Sequence, residues 1–120
     1  MFQAQTLNTN LTHLESKQEV QDFISQNEKA VIVCGRMGPM CVPVYGIMEE
    51  LRDSGKHDGI AFADMLFDHP DSSIIRGLPE VQNFRGLPFT VYYRNGKVVH
   101  ATSSIQNAKQ MKAILKDVFA

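Results

Sequence analysis

Apolar residues recur along this chain in two periods. Val20, Phe23 and Ile24 stand at the i, i+3, i+4 spacing of one helix face. Ser16-Lys17-Gln18-Glu19 precedes them in capping-box form. The serine hydroxyl can bond the third backbone N–H while the glutamate reaches back, so the pattern predicts a helix over 17–26. Ala30 to Cys34 is a continuous, largely β-branched run, which suits a strand buried on both faces. Val44, Ile47, Met48 and Leu51 return to helical spacing, with Arg52 in the last turn and Gly55 able to end it. Pro43 falls near the first turn of that helix, where a missing N–H is tolerated. Ile60 to Phe67 predicts the next strand.

The remainder divides into a weakly patterned stretch and a strongly patterned one. In residues 68–86, Asp68 can cap a short helix and Pro79 can start another at Glu80. Phe89 to Tyr93 and Val98 to Thr102 flank Asn95-Gly96, a pair whose tolerance of positive φ makes it a hairpin signal. Asn107 and Gln110 resemble a second capping box, and Ile105, Ala108, Met111, Leu115 and Val118 form the apolar stripe of a closing helix. Strands alternating with helices, then an antiparallel pair, imply an α/β fold of three layers. A mixed central sheet of four to five strands would have helices on both faces and end in a β-hairpin plus helix.

Composition adds exclusions. The chain has 120 residues, 43% of them hydrophobic, which suits one domain over 1–120 with a core that needs no staple. Net charge is -1 with no charge run longer than two residues, so no nucleic-acid partner is expected. No apolar run approaches the roughly 18 residues of a membrane span, so no membrane partner is expected either. Met1 to Leu14 lacks a basic segment followed by an apolar one, which predicts no secretory leader. Two cysteines are not a disulfide framework, and the expected compartment is the cytoplasm, where thiols are usually reduced. No cofactor or metal is called for by the pattern, and the sequence assigns no oligomeric state.

The order Arg85-Gly86-Leu87-Pro88, strand, Asn95-Gly96, Val98-Val99 and final helix resembles the thioredoxin family. The upstream helix, buried strand and Gly-Pro turn match in order as well, so the resemblance spans roughly residues 12–120. It implies a thioredoxin fold and a cis peptide bond at Leu87-Pro88. It further implies a backbone edge beside Pro88 that pairs with an extended peptide segment or a protein partner. Arg76-Gly77-Leu78-Pro79 repeats the tetrapeptide, but only the second copy precedes a strand and hairpin. The first copy reads as part of a loop insertion.

The family's Cys-Gly-Pro-Cys turn aligns here with Met37-Gly38-Pro39-Met40, followed by Cys41. A thioether cannot be deprotonated and cannot exchange a disulfide, so dithiol exchange of the usual kind is not expected. The chain has no tryptophan before the turn, and Ala30 to Val33 contains no acid where the family keeps a buried carboxylate. Cys41 is expected in the first turn of the helix, where unpaired N–H groups favour an anion. It then reads either as a single reactive thiol, with Arg36 nearby, or as a small buried hydrophobe. Cys34 reads either as its disulfide partner or as a buried strand residue. Met37, Met40 and Cys41 also form a soft-ligand set for copper(I) or haem, with His69 or His100 as remote partners. His13, His57, His69 and His100 show no metal-ligand spacing and are expected in solvent. Finally, Phe89 is expected to line a groove beside the turn, giving with Met37, Met40 and Pro39 an apolar protein-binding patch.

Three readings therefore stand. The first is a thiol-disulfide redox protein of atypical type acting through Cys41, alone or with Cys34. The second is a non-catalytic binding module using the Met-rich turn and the groove of Leu87, Pro88 and Phe89. The third is a soft-metal or haem carrier.

Overall fold

The computed structural model describes residues 7–119. The leader expectation therefore rests partly on residues that lie outside the described range. The elements run β1 (Thr12–Leu14), α1 (Lys17–Gln26), β2 (Lys29–Gly35), α2 (Val42–Asp53), β3 (Ile60–Leu66), α3 (Ser73–Arg76), β4 (Phe89–Arg94), β5 (Lys97–Ser103) and α4 (Ala108–Val118). Short 3-10 turns at Pro70–Ser72 and Pro79–Val81 flank α3. The sheet order is β1-β3-β2-β4-β5. The first three strands are parallel, and β4 and β5 add antiparallel edges. Among the described residues no helix is long and apolar enough to cross a membrane.

Local chemistry fixes most boundaries. Ser16 caps α1 by accepting the Glu19 N–H at 3.1 Å, and Glu19 reaches back to the N–H of Glu15. Gly55, at φ 74°, follows the end of α2, and Asn95 and Gly96 take positive φ between β4 and β5. Asn107 and Gln110 close the capping box of α4 with two bonds of 2.8 and 2.9 Å. Ile105, assigned to the apolar stripe, stands exposed ahead of this helix, while Met111 and Leu115 hold the core.

The continuous apolar run of β2 has the expected cause, since both its faces are covered. Val31 and Val33 join Val44, Tyr45, Met48 and Met111 under α2 and α4. Ala30, Ile32 and Cys34 join Val20 and Ile75 under α1 and α3. The Leu87–Pro88 peptide bond is cis.

Residues 68–86 differ from expectation. Asp68 caps nothing; both its carboxylate oxygens accept from Arg36, at 2.7 and 2.8 Å. The cap is His69, whose Nδ1 accepts the Asp71 N–H at 3.0 Å. Pro79 is itself the first residue of its turn. Arg36 and Arg76 both lie over the Phe67 ring, at 5.1 and 5.6 Å from its centre, and Phe67 meets Phe89 edge-on at 5.8 Å. Aromatic and cation contacts thus anchor the insertion to β4.

One feature of the α2/α4 face is costly. Thr90 and Thr102 face each other across β4 and β5, and among the described residues both hydroxyls are buried without a partner. An unpaired buried hydroxyl costs roughly 1–3 kcal/mol. Thr90→Val keeps the shape and is expected to raise stability by about 1 kcal/mol in urea unfolding. A loss of stability instead would reveal a hydrogen bond to the threonine.

Candidate functional site

The turn after β2 begins with exposed Arg36 and carries Met37, Gly38, Pro39 and Met40. The carbonyl of Gly38 accepts the N–H groups of Cys41 and Val42, at 3.1 and 3.0 Å, and α2 starts only at Val42. Cys41 is therefore the N-cap residue rather than part of the first turn, and its own N–H is already bonded. Its side chain points inward and is 3% exposed. Met37 and Met40 are 48% and 44% exposed, and Val42 joins them at the surface. Pro43 falls in the tolerated first turn as expected.

Gly35, the last residue of β2, lies at a tight junction. A Cβ placed on it would meet Tyr45 Oη at 2.6 Å, Cys41 Sγ at 2.9 Å and the Pro88 Cβ at 3.0 Å. Glycine is what lets the helix start, the strand end and the Leu87-Pro88 segment close on one another. Tyr45 Oη donates to the Arg36 carbonyl at 2.8 Å and so pins the entry to the turn. Burial first, then the neighbouring Cys41 thiol, holds the Tyr45 hydroxyl well above the usual phenol range. This tyrosine therefore stays a neutral donor.

Cys34 is fully buried on the opposite face of the sheet, under α1 and α3. Burial pushes its thiol up to about 12, with the Arg76 charge pulling the other way. Both cysteines are free, and they belong to different halves of the core. The sheet lies between them, and the structure holds no disulfide between the two.

Phe89 does not line the groove. It is buried beside Cys34, its partner across β2 and β4, and packs on Phe67 and Phe84. The strand pleat explains this, because Phe89, Val91 and Tyr93 share the α1/α3 face while Tyr92 lies on the other. Pro88 is buried as well, and Leu87 is half-buried between the two core clusters. The Ser104 N–H bonds the carbonyls of Gly86 and Pro88, at 3.2 and 3.0 Å. Among the described residues the N–H and C=O of Leu87 take no such partner. The exposed site is thus Met37, Pro39, Met40 and Val42, with the Leu87 backbone beside the buried Pro88.

A buried carboxylate is present, but not on β2. Asp64, at the middle of β3 opposite Val33, is almost wholly enclosed. Its Oδ1 meets His13 Nδ1 at 2.8 Å, and its Oδ2 accepts the Thr9 hydroxyl. Burial raises this carboxyl above its usual range, while the bonds from Thr9 and His13 partly offset the rise. His13, expected in solvent, is thereby drawn into a pair with Asp64. No sequence motif marked this group, because its partners lie some 50 residues away in the chain.

The soft-ligand set gains nothing from the geometry. Cys41 turns away from the surface that carries Met37 and Met40. The Nδ1 of His69 is occupied as a cap, and the His100 ring lies tilted against Tyr92 with centres 5.7 Å apart. Among the described residues no three His, Cys, Asp or Glu side chains gather as metal ligands.

A cavity of about 290 Å³ is lined by Lys29, Lys56, Lys112 and Lys116 with Asp58 among them, and by no cysteine. Lys56 follows the end of α2, and Lys116 lies in the last turn of α4. Positive charge there offsets the negative helix ends.

A scan against protein-family models finds no match, and a search of curated proteins finds none either. Solved structures do match. The N21Q mutant thioredoxin from Halobacterium salinarum superposes with a TM-score of 0.73 at 18% identity, covering 91% of this chain and 90% of that one. The thioredoxin of Malassezia sympodialis gives 0.74 at 14% identity, with 100% of both chains covered. Oxidised mitochondrial thioredoxin 3 of Saccharomyces cerevisiae gives 0.71 at 21% identity over 89% of this chain and 94% of that one. Identities this low speak for architecture and not for activity. On the sheet order, the two helical layers and these superpositions, the chain has the thioredoxin fold.

Proposed function

We propose that this protein is a thioredoxin-fold binding module that holds an extended peptide segment of a protein partner, and not a dithiol reductase. The observation that carries the reading is the sorting of groups at the turn. Both thiols are inside, whereas Met37, Met40 and Val42 are outside, and among the described residues the Leu87 backbone N–H and C=O have no partner. An extended chain can pair with a free N–H and C=O as an added strand would. Methionine side chains are long and unbranched, so they adapt to varied apolar partners. The two free thiols are in keeping with a reducing compartment such as the cytoplasm.

A second reading, thiol-redox chemistry through Cys41, is favoured by one observation. The Cys41 sulfur lies at the end of the turn, packed where Gly35 and Pro88 meet. Thioredoxin architecture is compatible with such a role.

One experiment separates the two. Peptides selected from a displayed library on the wild-type protein are measured against two variants. The double variant Met37→Asp, Met40→Asp is expected to weaken binding about ten-fold or more, because interface energy concentrates in a few apolar anchors. Cys41→Ala is expected to leave affinity unchanged. Loss of binding in Cys41→Ala, or a mixed disulfide between Cys41 and a cysteine-bearing peptide, would favour the redox reading.

A further inference from the structure

Among the described residues sulfur is sorted by depth. Cys34, Cys41, Met48, Met65 and Met111 are all buried, while Met37 and Met40 stand half-exposed either side of Gly38-Pro39. The sulfur that solvent reaches at the turn is therefore thioether. Met37 has a second distinguishing feature. Its Sδ accepts the backbone N–H of Asn8 at 3.3 Å, which ties the turn to the segment entering β1. That segment is also held by Thr9 on Asp64, by the Asn10 N–H on Glu49 and by Arg52, which donates to the Asn10 carbonyl. A thioether is a weak acceptor. A sulfoxide oxygen is a strong one and projects a bond length beyond the sulfur.

We propose that Met37 and Met40 form a methionine-oxidation site, at which a hydroperoxide changes the hold of the turn on the N-terminal segment. A sulfur lone pair attacks the peroxide's terminal oxygen. The S–O bond forms as the O–O bond breaks, and a proton moves to the departing oxygen, which leaves as water or an alcohol. Sulfur loses two electrons and the peroxide gains them. A sulfoxide reductase with thiol electrons reverses the step and releases water. At Met37 the Asn8 N–H must re-seat on the new oxygen or turn to water. At Met40 one side chain of the apolar patch becomes polar. The inference is independent of the docking reading, since its test contains no partner.

The full-length chain is treated with graded hydrogen peroxide and followed by peptide-resolved mass spectrometry and by the Asn8 amide signal in 1H–15N spectra. Met37 and Met40 are expected each to gain one oxygen at least about ten-fold faster than Met48, Met65 and Met111, since susceptibility follows exposure. Cys34 and Cys41 should remain open to alkylation after unfolding. The Asn8 signal should shift in step with Met37 oxidation, and in Met37→Leu it should not respond to peroxide. Oxidation of Cys41 ahead of both methionines would overturn the proposal. So would equal rates at the buried methionines, or an Asn8 signal unmoved while Met37 is fully oxidised.

Discussion

Gly35→Ala is expected to lower the stability of the protein by about 2–3 kcal/mol, among the largest effects of any single methyl group here. The added carbon would lie under van der Waals distance from three groups on two segments, namely Cys41 and Tyr45 at the start of α2 and Pro88 ahead of β4. None can retreat cheaply. Tyr45 is buried with its hydroxyl committed to the Arg36 carbonyl, Cys41 is the cap residue of α2, and Pro88 opens onto β4. Overpacking of this kind commonly costs roughly 1–3 kcal/mol. Urea unfolding reads the loss directly, and the Met-rich turn should loosen with it because Tyr45 anchors its entry. A variant as stable as the wild type would mean that the junction is looser than its contacts indicate.

His13→Ala is expected to cost roughly 2 kcal/mol at about pH 7 and much less at about pH 4. The cause is Asp64, the partner of His13. Burial raises this carboxyl on folding, and Thr9 and His13 hold the rise in check. When an acid is raised on folding, the folded chain keeps its proton at pH values where the unfolded chain has lost it. The associated stability is therefore full below the ordinary carboxyl range and is lost as pH rises through the folded value. Removing His13 removes one of the restraints, so the carboxyl rises further and the loss grows with pH. Denaturant midpoints measured across this range give the sign. Adding Asp64→Asn should recover most of the loss at neutral pH, because a neutral amide carries no buried charge. A cost that does not change with pH would show that His13 acts by packing alone.

The parts of this fold legible in the sequence are those written in local chemistry. Ser16 with Glu19, Asn95-Gly96, Asn107 with Gln110, and the unbroken apolar run of β2 each act over a few residues and appear where expected. The structure departs from the local pattern where a distant group claims a local one. Asp68 looked like a cap, but Arg36 from the preceding turn takes its carboxylate. His13 looked solvated, but Asp64 from another strand binds it. Phe89 follows Pro88 and on that ground is expected in the groove, but the alternation of Phe89, Val91 and Tyr93 turns it to the other face. At the site, the exposed thioethers were legible from the substitution itself. The burial of Cys41 was not, since it depends on α2 starting at Val42 and on the cap side chain turning inward.

The division of Cys34 and Cys41 between the two sides of β2 has a practical consequence. Each thiol is sealed by a different pair of helices, so an alkylating reagent reaches it only when that side of the molecule breathes. The chain thus carries its own reporter in each half. Comparing the two labelling rates ranks the local opening of the α1/α3 side against that of the α2/α4 side without attaching any probe.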